Sequence, residues 1–386
     1  MKSLSARFVS RAPSWGKHWL AVVVLLICAC NRPEAAPVEQ TAPVVQEPPP
    51  VAPASVTLPD GVWRGACLAH NWQERGARGY GTEASAEVLD HLASIDVDWI
   101  SVTPFGFMTD QKSNLVEGEH NRTPPDGAER AERLERVLEQ ARARGIKVML
   151  KPHIWIRGGK WRGAIKPANE AGEPDWDGWW DSHDAWILYY AELAERNGIE
   201  ALVIGLELHS AVRQSPERLV QLANKVRAIY RGHITYAANW NEPVPDDVWR
   251  AVDSIGVQFY PPLTKARGAV DPAELRGSLR THLSHWEVVA ERTNRPLVIT
   301  EVGYRSADLA ARLPNAWPEN INGSTDEALQ KEVYRLFFEE LRRTKRLGGV
   351  FLWKYFTDRN TDEEGPTGFT PRGKPAEAVI REAFSD

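Results

Sequence analysis

The sequence predicts an α/β fold, a (β/α)8 TIM barrel, in one domain spanning residues 59–386. Three observations lead there. Short apolar runs recur, the pattern of parallel strands buried on both faces. They alternate with amphipathic helical stretches. Eight such units fit into about 325 residues, the number that closes a barrel. An open doubly wound sheet is the runner-up. It is disfavoured because no Gly-x-Gly-x-x-Gly follows the first strand.

The elements follow in order. Strands are expected at 63–68, 99–104, 147–153, 201–207, 234–239, 254–260, 297–301 and 349–353. Helices are expected at 83–95, 129–144, 181–197, 216–230, 248–252, 272–292, 325–346 and 376–383. In the first helix Val88, Leu92 and Ile95 share one face. In the second the inner stripe is Leu134, Val137, Leu138 and Ala141, and the charged remainder reads as a solvated face with i,i+4 pairs. Gly145 and Gly198 stand where helices end.

Ahead of the barrel, residues 1–30 read as a lipoprotein-type signal peptide. Lys2, Arg7, Arg11 and Lys17 form a positive n-region. The apolar run from Leu20 to Cys30 is shorter than the roughly 20 residues that span a bilayer. Ile27-Cys28-Ala29-Cys30 resembles a bacterial lipobox, which implies a lipid on Cys30. Asn31 follows where inner-membrane retention would want Asp, so the resemblance implies an outer-membrane lipoprotein of the cell envelope. An ordinary signal peptide and a periplasmic or secreted protein are the alternative. Residues 31–58, with Pro48-Pro49-Pro50 at their centre, read as a disordered Pro-rich linker.

Composition narrows the function. The 386 residues are 42% hydrophobic and 26% charged, which is globular. A net charge of −5 leaves no basic footprint for nucleic acid. Three Cys, two of them in the leader, leave Cys67 alone in the body as a small buried residue, without a disulfide framework. No Cys-x-x-Cys or His-Glu-x-x-His supports a metal site, and no cofactor is expected. Oligomeric state is not readable. Sixteen Trp are many for this length and suit a large core or a cleft for sugar rings.

The carboxyl ends of barrel strands are where such folds place chemistry. They carry His70, Asn71 and Trp72; Thr103, Pro104 and Phe105; Lys151, His153 and Trp155; Glu207 and His209; Asn239 and Trp240; Gln258 and Tyr260; Glu301 and Tyr304; and Trp353, Lys354 and Tyr355. Glu207 and Glu301 end the fourth and seventh strands. Two acids across a barrel mouth fit glycoside hydrolysis, and a separation of about 5–5.5 Å would retain anomeric configuration. His153, Trp155, Asn239, Trp240, Gln258, Tyr260, Tyr304, Trp353, Lys151 and Trp161 are the candidate substrate contacts. The segment 155–186 holds six Trp. Part of it reads as sugar-stacking surface, with burial against the next helix equally open for Trp179, Trp180 and Trp186. Asp358, Glu363 and Glu364 in the last loop read as solvated.

These residues carry a resemblance. An acid on strand four and another on strand seven looks like the large clan of retaining glycosidases. Lys151-Pro152-His153-Ile154-Trp155, Ile204-Gly205-Leu206-Glu207, Ile299-Thr300-Glu301-Val302-Gly303-Tyr304 and Gly368-Phe369-Thr370-Pro371-Arg372-Gly373-Lys374-Pro375-Ala376 resemble the family 113 β-mannanases. The resemblance implies Glu207 as acid/base, Glu301 as nucleophile, and hydrolysis of β-1,4-linked mannose polymers without a cofactor. The clan commonly has Asn before the acid/base, reaching the sugar 2-hydroxyl. Leu206 stands there instead, leaving His153, Asn239 or Gln258 to make that contact. The same chemistry on a β-glucan, a xylan or an envelope polysaccharide is a second reading. A non-catalytic glycan-binding surface lipoprotein is a third.

Overall fold

The computed structural model describes residues 56–70, 78–121, 126–268, 270–316, 323–359 and 364–385. The leader, Cys30, most of the linker, Asn71, Trp72 and Glu363 lie outside them. Among the described residues no helix is long and apolar enough to cross a membrane.

Eight parallel strands close a barrel: β1 (Trp63–Ala69), β2 (Trp99–Val102), β4 (Lys147–Leu150), β6 (Ala201–Leu206), β7 (His233–Asn239), β8 (Ser254–Gln258), β9 (Leu297–Val302) and β10 (Leu347–Phe356). The barrel closes where β1 pairs with β10. Each expected strand therefore exists, in the expected order. Two of them are divided. The expected strand 99–104 stops at Val102, and the expected strand 147–153 stops at Leu150. The chain resumes as β3 (Phe105–Met108) and β5 (His153–Ile156), which pair with each other outside the barrel. Pro104 and Pro152 sit at the two breaks. Proline has no N–H for the ladder, so both strands leave the barrel at the same level.

The period of two along each strand sorts inside from outside. On β6, Ala201 and Val203 join Cys67, Met149, Ala237, Val298 and Phe351 of other strands in a small central cluster. The alternate residues Leu202 and Ile204 belong to the larger cluster shared with the helices. Close packing at the centre needs a glycine. A Cβ on Gly65 would come within 2.3 Å of the Phe351 ring. Trp63 and Trp99, stacked 4.2 Å apart, fill the amino end.

Helices cover the barrel: α1 (Glu83–Ala93), α2 (Asp126–Arg142), α3 (Trp176–Arg196), α4 (His209–Gln214), α5 (Pro216–Arg227), α6 (Asp246–Ala251), α7 (Pro272–Thr293), α8 (Glu327–Leu341) and α9 (Pro375–Phe384). The short α4 is additional to the expected set. The α3 helix starts five residues before its expected start at 181, which changes the meaning of the Trp-rich segment. Trp179, Trp180 and Trp186 are fully buried. Their spacing, with His183 between them, is one helical stripe, and Trp179 stacks on His183 at 5.0 Å. Trp186 lies against Gly106 and Gly118, so close that a Cβ on either would overlap it. These three rings are core, and the stacking reading does not apply to them.

The folded body also begins earlier than expected. Val56 and Leu58, assigned to the linker, are buried, and the Leu58 N–H donates to the Ala383 carbonyl at 2.9 Å.

Candidate active site

The apolar runs deliver their acids at the carboxyl rim. Glu301 is the penultimate residue of the buried run of β9 and is itself buried. Lys151, just past β4, has no exposure at all. Its Nζ lies 2.5 Å from Glu301 Oε1 and donates to the Thr300 carbonyl at 3.1 Å and toward Cys67 Sγ at 3.5 Å. The Tyr260 hydroxyl donates to Glu301 Oε2 at 3.1 Å. Each oxygen of Glu301 thus accepts from a donor, one of them a cation, as a carboxylate requires. His153 Nε2 lies 3.5 Å from Glu301 Oε1 but makes no hydrogen bond. Burial, with the charges of Arg162 and Lys151 added, holds His153 well below the ordinary imidazole range. The ring is therefore neutral, and the short distance is no ion pair.

Glu207 follows β6 directly, and its environment differs. Its backbone is left-handed, φ 49°, a conformation that costs a non-glycine residue roughly 1–2 kcal/mol. Its N–H donates to the Ala237 carbonyl at 2.8 Å, and the next N–H, of Leu208, to the Tyr236 hydroxyl at 2.9 Å. The side chain is partly buried. Oε1 accepts from Asn239 Nδ2 at 2.9 Å and Oε2 from Arg162 Nη1 at 3.0 Å. The Trp161 side chain stands beside the same carboxyl group. Burial raises the Glu207 carboxyl above its ordinary range, and the Glu301 charge adds to that; Arg162, Asn239 and Trp161 pull it back. The two acids share one electrostatic site.

The other expected contacts separate into two groups. Asn239 lies against Glu207, and Trp161, 46% exposed, stands beside the same carboxylate. Trp353 is half-buried and near-parallel to His153, with 9° between the rings. Trp155 packs edge-on to Phe105, and Trp240 edge-on to His282. Three residues differ from expectation. Tyr304 is buried with its ring between Tyr334 and Phe337, facing the helices. Lys151 is sealed against Glu301 and offers no surface to a substrate. Gln258 is buried, its Oε1 accepting from Thr300 Oγ1 at 2.9 Å. Leu206, where the clan has Asn, points into the central apolar cluster.

The last loop was expected to be solvated. Asp358 is instead buried and paired with Arg78 at 3.1 Å. Glu364 meets Lys354 Nζ at 3.0 Å and accepts the Phe369 N–H at 2.9 Å. Burial alone would raise Glu364, but Lys354 and Arg305 outweigh it and hold the carboxyl low. Lys354 in turn lies 5.0 Å from the Trp353 ring centre. Sequence reasoning also passed over Arg162, although a cation within an aromatic loop was a visible signal. Among the described residues no group of three His, Cys, Asp or Glu is placed to hold a metal ion.

A family model for Glycoside Hydrolase Family 113 matches residues 69–374. The chain belongs to glycoside hydrolase family 113. Its solved relatives share the whole barrel. A structure described as a GH113 β-1,4-mannanase is 26% identical, with TM-score 0.69, covering 83% of this chain and 97% of its own. The GH113 β-mannanase AaManA from Alicyclobacillus acidocaldarius, in complex with ManMIm, is 24% identical, with TM-score 0.69, over 84% and 97%. No curated protein matches the chain. The barrel thus carries Glu207 immediately after its fourth strand and Glu301 near the carboxyl end of its seventh.

The buried pair allows a stability test. Lys151→Met should destabilise the glycoside hydrolase by about 3–5 kcal/mol in chemical denaturation, because it strands a buried carboxylate. The double variant Lys151→Met/Glu301→Gln should recover part of that loss. Additive losses would show that the two groups are not coupled.

Proposed function

We propose that this hydrolase cleaves β-1,4-linked mannan or manno-oligosaccharides by double displacement, with Glu301 as nucleophile and Glu207 as acid/base. The observation that carries the reading is the contrast between the two carboxyl groups. Glu301 is held as an acceptor by Lys151 and Tyr260. Glu207 is raised by burial toward keeping a proton. A carboxylate held by a lysine and a phenol, facing a carboxyl group that burial favours in its protonated form, divides the roles of nucleophile and acid.

In this mechanism a mannose ring lies against Trp353 with its anomeric carbon over Glu301. Glu207 gives its proton to the glycosidic oxygen as the C1–O bond breaks and a Glu301 oxygen bonds to C1. The shortened glycan leaves. Glu207, now an anion, takes a proton from water, whose oxygen attacks C1 and releases Glu301. Arg162 and Asn239 stabilise the Glu207 anion between the steps. Asn239 or His153 supplies the 2-hydroxyl contact that Leu206 cannot make. The sugar assignment rests on the named activity of the solved relatives. The Trp353 and Trp161 rings and the Asn239 amide are compatible with an uncharged hexose polymer, the nearby Lys354 and Arg162 being paired with Glu364 and Glu207.

Product analysis tests the reading. Incubation with defined β-1,4-manno-oligosaccharides should give shorter oligosaccharides whose new reducing ends appear first as the β anomer by proton NMR. An α anomer at the outset would contradict double displacement. Cleavage of another β-glycan in place of mannan would contradict the substrate. Arg162 gives a second test. It lowers Glu207, so Arg162→Gln should raise the carboxyl further. A general acid works while protonated, so the high-pH limb of kcat/KM should move to higher pH. A limb that moves down or stays in place would remove Glu207 from the acid role.

A further inference from the structure

A third buried carboxylate lies behind the site, and neither step above uses it. Glu242 follows β7 by three residues and is 3% exposed. The Tyr236 hydroxyl donates to its Oε1 at 2.6 Å, and the Asn239 backbone N–H donates to its Oε2 at 3.0 Å. Burial pushes the Glu242 carboxyl up to about 7, against the pull of these two donors.

Each donor leads to Glu207. The Tyr236 oxygen accepts the N–H of Leu208, the peptide that leaves Glu207. The Asn239 side chain donates to Glu207 Oε1 at 2.9 Å. One carboxylate therefore anchors both the backbone that follows the acid and the amide that orients its side chain. The anchor has work to do, because Glu207 sits in the left-handed region that a non-glycine residue does not choose. A hydroxyl that donates to a carboxylate is also a stronger acceptor, so Glu242 tightens the Tyr236–Leu208 bond. The packing around this bond is close. A Cβ on Gly205 would meet Leu208 Cδ1 at 2.9 Å and the Tyr236 ring at 3.2 Å.

We propose that Glu242 is a positioning residue for the acid/base: through Tyr236 and Asn239 it holds Glu207 in the one backbone and side-chain geometry that delivers its proton. The proposal rests on the acid/base reading of Glu207. Glu242→Gln keeps the volume but offers an oxygen to one arm only and an NH2 to the other, so either the Asn239 N–H loses its acceptor or the Tyr236 hydroxyl loses the carboxylate it donates to.

Leaving-group dependence separates positioning from general support of the fold. A 2,4-dinitrophenyl β-mannobioside needs no proton to lose its aglycone, whereas a manno-oligosaccharide does. In the full chain, Glu242→Gln should lower kcat/KM on the oligosaccharide by about 10- to 100-fold and keep it within about three-fold on the dinitrophenyl substrate. Azide, a nucleophile that needs no base, should accelerate turnover of the dinitrophenyl substrate by the variant and not by the wild type. Tyr236→Phe, which cuts one arm, should shift the same quantities in the same direction by less, and it carries the test if Glu242→Gln does not fold. Equal losses on both substrates, with no azide effect, would overturn the proposal. Glu207→Ala is run in parallel. If it shows the leaving-group selectivity and the other variants do not, the positioning role alone fails. If Glu207→Ala lacks that selectivity, the acid/base reading fails and takes the positioning role with it.

Discussion

An ammonium group with no solvent exposure lies 2.5 Å from a buried carboxylate at the mouth of the barrel. Removing these two charges from water costs several kcal/mol each, so the pair persists only where geometry and further hydrogen bonds offset that cost. Here the offset comes from three strands at once. Lys151 follows β4, Glu301 lies near the end of β9, and Cys67 on β1 lies within reach of the same nitrogen. None of these strands neighbours another in the barrel. Only a closed barrel brings them to one point, so closure and the charge state of the site are one constraint.

The second carboxyl group shows what the first is not. Glu301 is fixed by donors that belong to the core. Two of the Glu207 partners, Trp161 and Arg162, come instead from the loop after β5, and Trp161 is well exposed. A group that must give up a proton and take it back needs partners that steady both forms. Burial favours the neutral form of Glu207, and Arg162 with Asn239 favours the anion. The same residue type thus takes two roles because its surroundings differ.

Much of this was legible in the chain. Apolar runs ending in an acid placed Glu207 and Glu301 at strand ends, because a buried parallel strand needs such a run and its carboxyl end faces the site. What escaped depends on direction and not on position. Tyr304 is three residues past Glu301, but the turn after β9 aims its ring at the helices. By position Lys151 reads as a rim residue, but its nitrogen lies in the core. Asp358 and Glu364 read as solvated because their cations, Arg78 and Lys354, are distant in sequence or lie across a turn. The two proline breaks and the Trp stripe on α3 were visible as patterns. Pro104 and Pro152 have no N–H for a ladder, and the Trp spacing is that of a helix face.

Covalent capture of the nucleophile tests the central claim most directly. A 2-deoxy-2-fluoro-β-mannosyl fluoride slows both steps through its ring fluorine, while its good leaving group lets the first proceed. Mass spectrometry of the digested enzyme should find the fluoromannosyl group on the peptide containing Glu301, and no label in Glu301→Gln. A label on Glu207, or none in an enzyme that still hydrolyses mannan, would contradict the assignment.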